Sequence, residues 1–207
     1  MTAIIIYGAG GHAKVVIDAI ESTANAAAIQ VADDREQMKG TVYFGYHVIG
    51  GRRELLVLPT PRPSAFAAIG DNSARRAALK WLRENGFELI PVVHAGARIG
   101  RGVRVGVGAF IAAGAVVNPD ATVGEGVIIN TGATIDHDCE LGDVVHVAPG
   151  CHLCGNVLVG SGSLLGAGTI VIPGIRIGAD VVVGAGSTVL ADVPDGARIV
   201  GSPARPI

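Results

Sequence analysis

The chain contains 207 residues, of which 49% are apolar and 16% are charged, and its formal net charge is −2. This near balance of charge gives no electrostatic basis for binding nucleic acid or an anionic membrane surface. Because so few charged residues cannot cover the surface of a protein of this length, part of that surface is expected to be covered by another subunit. The composition therefore favours an oligomer.

The first residues and the cysteine content bear on the cellular compartment. The N-terminal stretch MTAIIIYGAGG has no basic segment, and no apolar run approaches the length of a membrane span. The sequence therefore predicts neither a signal peptide nor a transmembrane helix. Three cysteines without an export signal indicate reduced thiols and a cytoplasmic protein.

The N-terminal part begins with a strand, a glycine-rich turn and a helix. The apolar run from Thr2 to Tyr7 ends in the segment 8–13, GAGGHA, and helical periodicity follows from Lys14 to Ile20. A second strand is predicted near Ala28 to Val31. This order of elements predicts a βαβ unit.

The next segments continue the alternation of helices and strands. A short helix is predicted from Arg52 to Leu58, a strand from Ala65 to Ile69 that ends at Gly70, and a longer helix from Ala74 to Asn85. Only nine of the 31 glycines precede Pro91. This shift in composition marks a boundary between two domains.

Beyond Pro91 an aliphatic residue recurs at every sixth place, seventeen times without interruption. A period of six fits a short strand followed by a corner, three of which make one coil of a parallel β-solenoid, so about five to six coils are expected. A small or β-branched residue four places later forms a second inward position. The glycine or asparagine that often follows the aliphatic residue is interpreted as a turn residue with positive φ. The aliphatic residues, called the ladder below, are Val93, Ile99, Val105, Ile111, Val117, Val123, Ile129, Ile135, Leu141, Val147, Leu153, Val159, Leu165, Val171, Ile177, Val183 and Val189.

The glycine-rich turn is typical of a nucleotide site. The pattern GxGxxA in the segment 8–13 follows a strand and opens a helix, where backbone amides can hold a phosphate. A complete dinucleotide-binding fold needs about six strands, and this part has room for about half of them, so one nucleoside diphosphate fits better. Asp33 and Asp34 follow the second strand, where they either bind a ribose or base or lie in a solvated turn. His12 is assigned to the site, since a phosphate loop seldom needs a bulky imidazole for packing.

Two histidines of the ladder region are candidates for chemistry. Neither His137 nor His146 falls on an inward phase, so both are expected on the outside of the solenoid. His137 is flanked by Asp136 and Asp138, and a neighbouring carboxylate can orient an imidazole and raise its basicity. His137 is therefore the predicted general base.

The ladder resembles the hexapeptide-repeat acyltransferases, which are left-handed β-helices that act as trimers. A narrower resemblance rests on the pattern Asn130-Thr131-x5-His137-Asp138-Cys139-x6-His146-Val147-x2-Gly150, with Gly155-Asn156-Val157 after it and Gly-x-Gly-Gly-His near the N-terminus. With these motifs the chain resembles the sugar acetyltransferases related to sialic-acid acetylation. It is most similar to the nucleotide-4-aminosugar N-acetyltransferases of the bacillosamine and perosamine pathways.

This resemblance implies a fold and an activity. The expected fold is an α/β, Rossmann-like βαβ domain followed by a left-handed parallel β-helix. Residues 1–90 would bind the nucleotide sugar, residues 91–190 would form the β-helix that binds acetyl-CoA and carries the catalytic groups, and residues 191–207 would be a C-terminal cap. The expected enzyme is a homotrimer that uses no metal and transfers acetyl from acetyl-CoA to the amino group of a UDP- or GDP-linked 4-amino-deoxysugar.

The resemblance also implies roles for particular residues. His137 would act as the base, Asp138 would tune it, and Asn130 would lie beside the acceptor amine. The residues implied to contact acetyl-CoA are His146, Gly155, Ala167 and Ala185. The residues implied to bind the nucleotide sugar are Gly10, Gly11, His12, Asp33, Asp34 and Gly70.

A metal site and a covalent mechanism are two rival interpretations of the same residues. Three cysteines and three histidines between residues 137 and 154 could suggest a zinc site, as in a related class of solenoids. Phase argues against it, because Cys139 and Cys151 belong to hexads on different faces. A covalent cysteine mechanism is disfavoured because Cys139 points inward. A non-catalytic solenoid, O-acetylation of a sugar hydroxyl and the use of a different acyl donor also remain open.

Overall fold

The N-terminal part of the chain is built on a parallel sheet, seen in a computed structural model that describes residues 3–23 and 28–207. Thr2, with which the first predicted strand begins, lies outside the described residues. The sheet has the strand order β2-β1-β5-β6, and β3 and β4 form an antiparallel hairpin. The elements are β1 (Ile4–Tyr7), α1 (Gly11–Glu21), β2 (Ile29–Ala32), β3 (Val42–Tyr43), β4 (Tyr46–His47), α2 (Arg52–Leu56), β5 (Ser64–Ala67), α3 (Asn72–Glu84) and β6 (Glu88–Leu89).

The helices differ slightly from their predicted bounds. α1 begins at Gly11 rather than Lys14, because Gly10 caps the helix and its carbonyl already accepts the Ala13 amide at 2.8 Å. Part of the glycine-rich segment is thus the first turn of α1. No helix in the described ranges is long and apolar enough to cross a bilayer.

From Val92 onward the chain forms the predicted β-solenoid of two-residue strands. The second residue of every strand from β7 to β23 is a ladder residue, which confirms the period of six. These strands are β7 (Val92–Val93), β8 (Arg98–Ile99), β9 (Arg104–Val105), β10 (Phe110–Ile111), β11 (Val116–Val117), β12 (Thr122–Val123), β13 (Ile128–Ile129), β14 (Thr134–Ile135), β15 (Glu140–Leu141), β16 (His146–Val147), β17 (His152–Leu153), β18 (Leu158–Val159), β19 (Leu164–Leu165), β20 (Ile170–Val171), β21 (Arg176–Ile177), β22 (Val182–Val183) and β23 (Thr188–Val189).

The strands assemble into three faces of a triangular prism. The first face contains β7, β10, β13, β16, β19 and β22, the second face contains β8, β11, β14, β17, β20 and β23, and the third face contains β9, β12, β15, β18 and β21. After the ladder, β24 (Arg198–Val200) pairs with β22 and so extends the first face, and β25 (Arg205–Pro206) pairs antiparallel with β24. Ladder residues stack in register, so Ile129 lies beside Val147 and Val147 beside Leu165. With the exception of Ile99, which is 39% exposed, their side chains form the long core of the prism or pack against it.

The turns work differently from the prediction. The residue with positive φ lies three places after the ladder residue, as in Gly126 at 61° and Asp138 at 58°. The glycine that directly follows many of the ladder residues is needed for a different reason. A Cβ on Gly106 would lie 2.6 Å from the backbone carbonyl of Gly124 in the next coil. These glycines are required because neighbouring coils approach closely, and not because of their φ angle.

The N-terminal domain is docked on the first face of the solenoid. Phe110 and Ile128 point outward from that face, yet both are fully buried because they pack against Val16 and Ile17 of α1. One of the three faces is therefore covered within the chain itself.

Arg75 of α3 fixes this docking from inside. Its guanidinium is fully buried and donates to the carbonyls of Gly126 and Val144 at edge turns of the solenoid, and to those of Ile69 and Gly70 after β5. Burial lowers its pKa to about 10. These carbonyls are neutral, as is Asn72 Oδ1, which accepts from Nη2 at 2.8 Å, and the negative charge of Asp71 adds a favourable electrostatic contribution.

We predict that Arg75→Met strongly destabilises the protein. Methionine fills a similar volume but leaves the buried carbonyls of Gly126 and Val144 without this donor, at roughly 1–3 kcal/mol for each acceptor that water cannot reach. Thermal unfolding should therefore begin at clearly lower temperature. Arg76→Met is the matched control, since Arg76 is half exposed and lies 3.8 Å from Asp180. Equal losses in the two variants would contradict this account of the docking.

Candidate active site

A cavity of about 510 Å³ lies at the carboxyl ends of β1, β2 and β5. The loops that leave parallel strands meet at this edge of a sheet, which is where such folds bind ligands. The cavity is lined by all six residues that the sequence assigns to the nucleotide sugar, which are Gly10, Gly11, His12, Asp33, Asp34 and Gly70.

The glycine loop presents free backbone amides to this cavity. The Ala9 amide is bound by Asp33 Oδ2 at 2.7 Å, and the Ala9 carbonyl accepts from Arg35 Nη2 at 2.9 Å. Within the described residues the next three amides, those of residues 10–12, have no hydrogen-bond acceptor. They lie at the N-terminus of α1, where the helix dipole favours an anion. The loop can therefore hold a phosphate.

The two aspartates at the end of β2 differ in exposure: Asp33 is largely buried, whereas the Asp34 side chain is half exposed but hydrogen-bonded. Partial burial alone would raise the pKa of Asp33, but hydrogen bonds from the side chain and amide of Arg35 and from the Ala9 amide lower it. Asp34 accepts a hydrogen bond from the Tyr7 hydroxyl and another from the Arg52 amide. Both carboxylates thus stabilise the wall of the cavity through these hydrogen bonds. A ligand that donates to Asp33 or Asp34 would either replace one of the present donors or bind beside it.

Arg35 and Tyr43 belong to the site but are not singled out by the sequence. Tyr43, on the β3–β4 hairpin, donates its hydroxyl to the Gly10 carbonyl at 2.9 Å. The hairpin comes from the least regular stretch of the sequence, so no pattern marks this residue. Arg35 directly follows the two aspartates, and that adjacency to the acidic pair is the signal that could have identified it.

His12 packs more tightly than the sequence argument assumes. Its ring contacts Phe110 edge to face, with centroids 5.1 Å apart, so the imidazole does serve packing. Burial, aided by nearby His146 and Arg75, lowers its pKa to about 4. Its Nε2 atom is buried and has no partner among the described residues. His12 is therefore a neutral imidazole with one unused polar atom at the edge of the cavity.

His146 lies outside the prism, as predicted, but it is covered by the N-terminal domain. It stands on the first face in a second cavity of about 430 Å³, which it shares with Gly70. Burial and the charge of Arg75 lower its pKa to about 4. Its Nε2 lies 3.3 Å from Asn130 Nδ2, and a neutral imidazole can accept this hydrogen bond. Asn130 is thereby placed between His146 and the edge of the first face.

His137 has the geometry of a general base. It lies in the turn between β14 and β15, at the edge shared by the second and third faces, and its side chain is 54% exposed. Its Nδ1 is 2.7 Å from Asp138 Oδ2, so the carboxylate binds the Nδ1 proton and leaves the Nε2 lone pair free. The hydrogen bond to Asp138 raises its pKa; slight desolvation opposes this, and the charge of Asp136 adds to it.

The residues assigned to acetyl-CoA do not meet within one chain. Gly155 lies on the same edge as His137, one coil further on, whereas Ala167 and Ala185 lie on the edge between the first and second faces. Within the described part the amides of these three residues donate no hydrogen bond. The structure thus offers free amides on two separate edges of the second face.

The cysteines do not form a site. Cys139 and Cys151 are buried and precede strands of different faces, and burial raises the pKa of Cys139 to about 11. Such a thiol is a poor nucleophile. In the ranges 3–23 and 28–207, no group of three or more histidine, cysteine or acidic side chains is arranged to hold a metal ion.

Comparisons with known proteins agree with this architecture. Residues 3–82 match the family model described as the PglD N-terminal domain. The acetyltransferase domain of PglB from Neisseria gonorrhoeae is 34% identical with a TM-score of 0.94, and the match covers 100% of both chains. A point mutant of perosamine N-acetyltransferase from Caulobacter crescentus, solved with CoA and GDP-perosamine, is 38% identical with a TM-score of 0.94, over 100% of this chain and 97% of that one.

More distant similarity points the same way. WeeI from Acinetobacter baumannii is 26% identical with a TM-score of 0.91 over 100% of both chains. A search of curated protein sequences gave no match. The full-length matches above 30% identity decide the assignment, and they agree with a parallel-sheet domain followed by a β-solenoid. The chain therefore belongs to the PglD-type family of hexapeptide-repeat sugar acetyltransferases.

Proposed function

We propose that the protein transfers the acetyl group of acetyl-CoA to the amino group of a UDP- or GDP-linked 4-amino-deoxysugar. The observation that carries this proposal is the His137–Asp138 pair, with a free Nε2, in a chain that also has an amide-lined nucleotide cavity. The Caulobacter relative was solved with CoA and GDP-perosamine, and the Neisseria domain with acetyl-CoA. The same base could act on a sugar hydroxyl, but the N-acetyltransferase among these relatives favours the amine.

The reaction would be a direct transfer. His137 Nε2 removes a proton from the sugar amine as the nitrogen attacks the thioester carbonyl. A backbone amide, such as the unbonded amide of Gly155, would stabilise the oxyanion of the tetrahedral intermediate. As the carbon–sulfur bond breaks, the imidazolium returns its proton to the departing thiolate, which gives CoA and the acetamido sugar. Asp138 stabilises the imidazolium between the two steps.

We propose further that the active site is shared between subunits of a homotrimer. The N-terminal domain occupies the first face, and His137 lies on the edge opposite to that face, so a nucleotide sugar bound to one chain is remote from the base of the same chain. The donor residues are likewise divided between two edges of the second face. Cyclic packing of three prisms would bring one edge of each subunit against a different edge of its neighbour. This arrangement supplies one site with both sets of residues.

The first test concerns the reaction and its base. Wild-type protein incubated with acetyl-CoA and a panel of UDP-, GDP- and dTDP-4-aminosugars should yield at least one product heavier by an acetyl group. His137→Ala should lower kcat by ~10²–10⁴, the usual contribution of a general base. His47→Ala, on the exposed hairpin, is the control and should leave turnover unchanged. Near-normal turnover of His137→Ala would rule out the proposed base.

The second test concerns pH. A base must be unprotonated, so the raised pKa of His137 places the acid limb of kcat/KM above the ordinary value for histidine. Asp138→Asn removes the carboxylate that raises this pKa, and the limb should move to lower pH. The maximal rate should also fall, by less than in His137→Ala. A limb that stays in place would show that Asp138 does not tune the base.

The third test concerns the nucleotide cavity. A side chain at Gly11 meets no atom within 4 Å, so Gly11→Trp can fold normally and project into the open cavity. It should weaken the binding of UDP or GDP, as measured by calorimetric titration, and leave CoA binding intact. Lys14→Trp, one turn further along α1, is the control. Loss of CoA binding alone in Gly11→Trp would reverse the assignment of the two substrates.

The fourth test concerns the shared site. His137→Ala and Gly11→Trp should each be nearly inactive as pure trimers. In mixed trimers prepared from equal amounts, a site with His137 from one subunit and an intact cavity from its neighbour should form about a quarter of the time. Activity should then recover to about that fraction of wild type. If each site lay within one chain, mixing would restore nothing.

A further inference from the structure

The imidazole of His137 rests directly on the backbone of Gly155. A Cβ built on Gly155 would lie 2.6 Å from Cε1, 2.7 Å from Nε2 and 3.2 Å from Nδ1 of the His137 ring. Real Cβ atoms do not approach other atoms this closely, so the observed position of the ring requires that residue 155 has no side chain. The next coil therefore has room for the imidazole of His137 because residue 155 is a glycine.

The turn itself does not require a glycine at this place. Gly155 is outside the left-handed region of φ, so its backbone can be adopted by any residue. The second residue after each ladder position is elsewhere alanine, serine, threonine, proline or a larger type, and among these seventeen residues only Gly155 is a glycine. Of the eight glycines that directly follow a ladder residue, seven would place a Cβ within 3 Å of a backbone atom, whereas all three nearest neighbours of a Cβ on Gly155 are ring atoms of His137.

We propose that Gly155 is a positioning residue for the base, because its missing side chain lets the His137 ring lie where Nδ1 meets Asp138 and Nε2 faces outward. This inference rests on the proposed role of His137. A methyl group at residue 155 would turn the half-exposed ring away and separate Nδ1 from the carboxylate, which is 2.7 Å away in the structure. The Asp138 backbone cannot move with the ring, because its amide donates a hydrogen bond to the Pro119 carbonyl and its φ of 58° belongs to the tight turn.

The charged groups around the His137 ring determine how a displacement of the ring should change its pKa. The charged groups near His137 are Asp136 and Asp138 of its own turn. The coil before it presents Pro119 with Asp120 beside it, and the coil after it presents the uncharged Gly155 and Asn156. Moving the ring away from Asp138 should lower the basicity of His137, because the hydrogen bond to Asp138 contributes most to its raised pKa.

The test is Gly155→Ala. We expect kcat to fall by ~10–10², as for a small misplacement of a reacting group, with KM for both substrates changed less than about threefold and the melting temperature preserved. The acid limb of kcat/KM should move to lower pH, as in Asp138→Asn. Pro173→Ala, on the same edge one coil further on, is the matched control and should behave as wild type.

A double variant separates this role from donor binding. If Gly155 acts only through the ring, His137→Ala with Gly155→Ala should be no slower than His137→Ala alone. Normal kcat in Gly155→Ala, beside a severe loss in His137→Ala, would overturn the positioning role while leaving the proposed base in place. A loss that adds to that of His137→Ala, or that falls mainly on KM for acetyl-CoA, would also overturn it and assign Gly155 to the donor. Near-normal turnover of His137→Ala would instead reject the base itself.

Discussion

The triangular section of the solenoid constrains every other part of the molecule. Each coil has three strands, and neighbouring coils are in register, so each outward position belongs permanently to one face or one edge. The N-terminal domain takes the first face through the buried side chains of Phe110 and Ile128 and through Arg75. His137 then stands at the greatest angular separation from that domain. The proposed site, which needs both the nucleotide cavity and the base, would therefore be complete only when chains associate.

The pKa values of three histidines near the proposed site are shifted in different directions because their surroundings differ. His12 and His146 are enclosed between the domains and near the positive charge of Arg75, and the pKa of each is lowered to about 4. His137 is open to solvent and hydrogen-bonded to a carboxylate, which moves its pKa in the opposite direction. At neutral pH the two enclosed imidazoles are hydrogen-bonding groups without charge. Only His137 is placed to exchange protons with a reactant.

The fold could be predicted from the sequence because the same burial of an aliphatic side chain recurs in each hexad. Site residues could be predicted only where their motif lies within a few neighbouring residues of the chain. Burial of nearly every sixth side chain fixes the register of the strands, and the ladder predicted that register. The adjacent carboxylates likewise marked His137. Contacts between segments that are distant in the sequence produce no such pattern, because they depend on the tertiary fold. Examples are the contacts of Tyr43 with Gly10, of Arg52 with Asp34 and of His12 with Phe110. The glycines after the ladder were recognised but misinterpreted, because a close approach between coils and a positive φ select the same residue.

The stacking of equivalent turns also limits how the length of this protein can change in evolution. Equivalent positions in neighbouring coils are 18 residues apart, as with Thr134 and His152, so inserting or deleting one whole coil leaves all later residues on their own faces. A change of a single hexad would preserve the aliphatic core equally well, yet it would rotate the remainder of the solenoid by one face. Ala167 and Ala185 would then leave their edge, while the stability of the fold was nearly unchanged. Selection for activity should therefore tolerate length differences in units of three hexads and remove single-hexad changes located between His137 and Ala167.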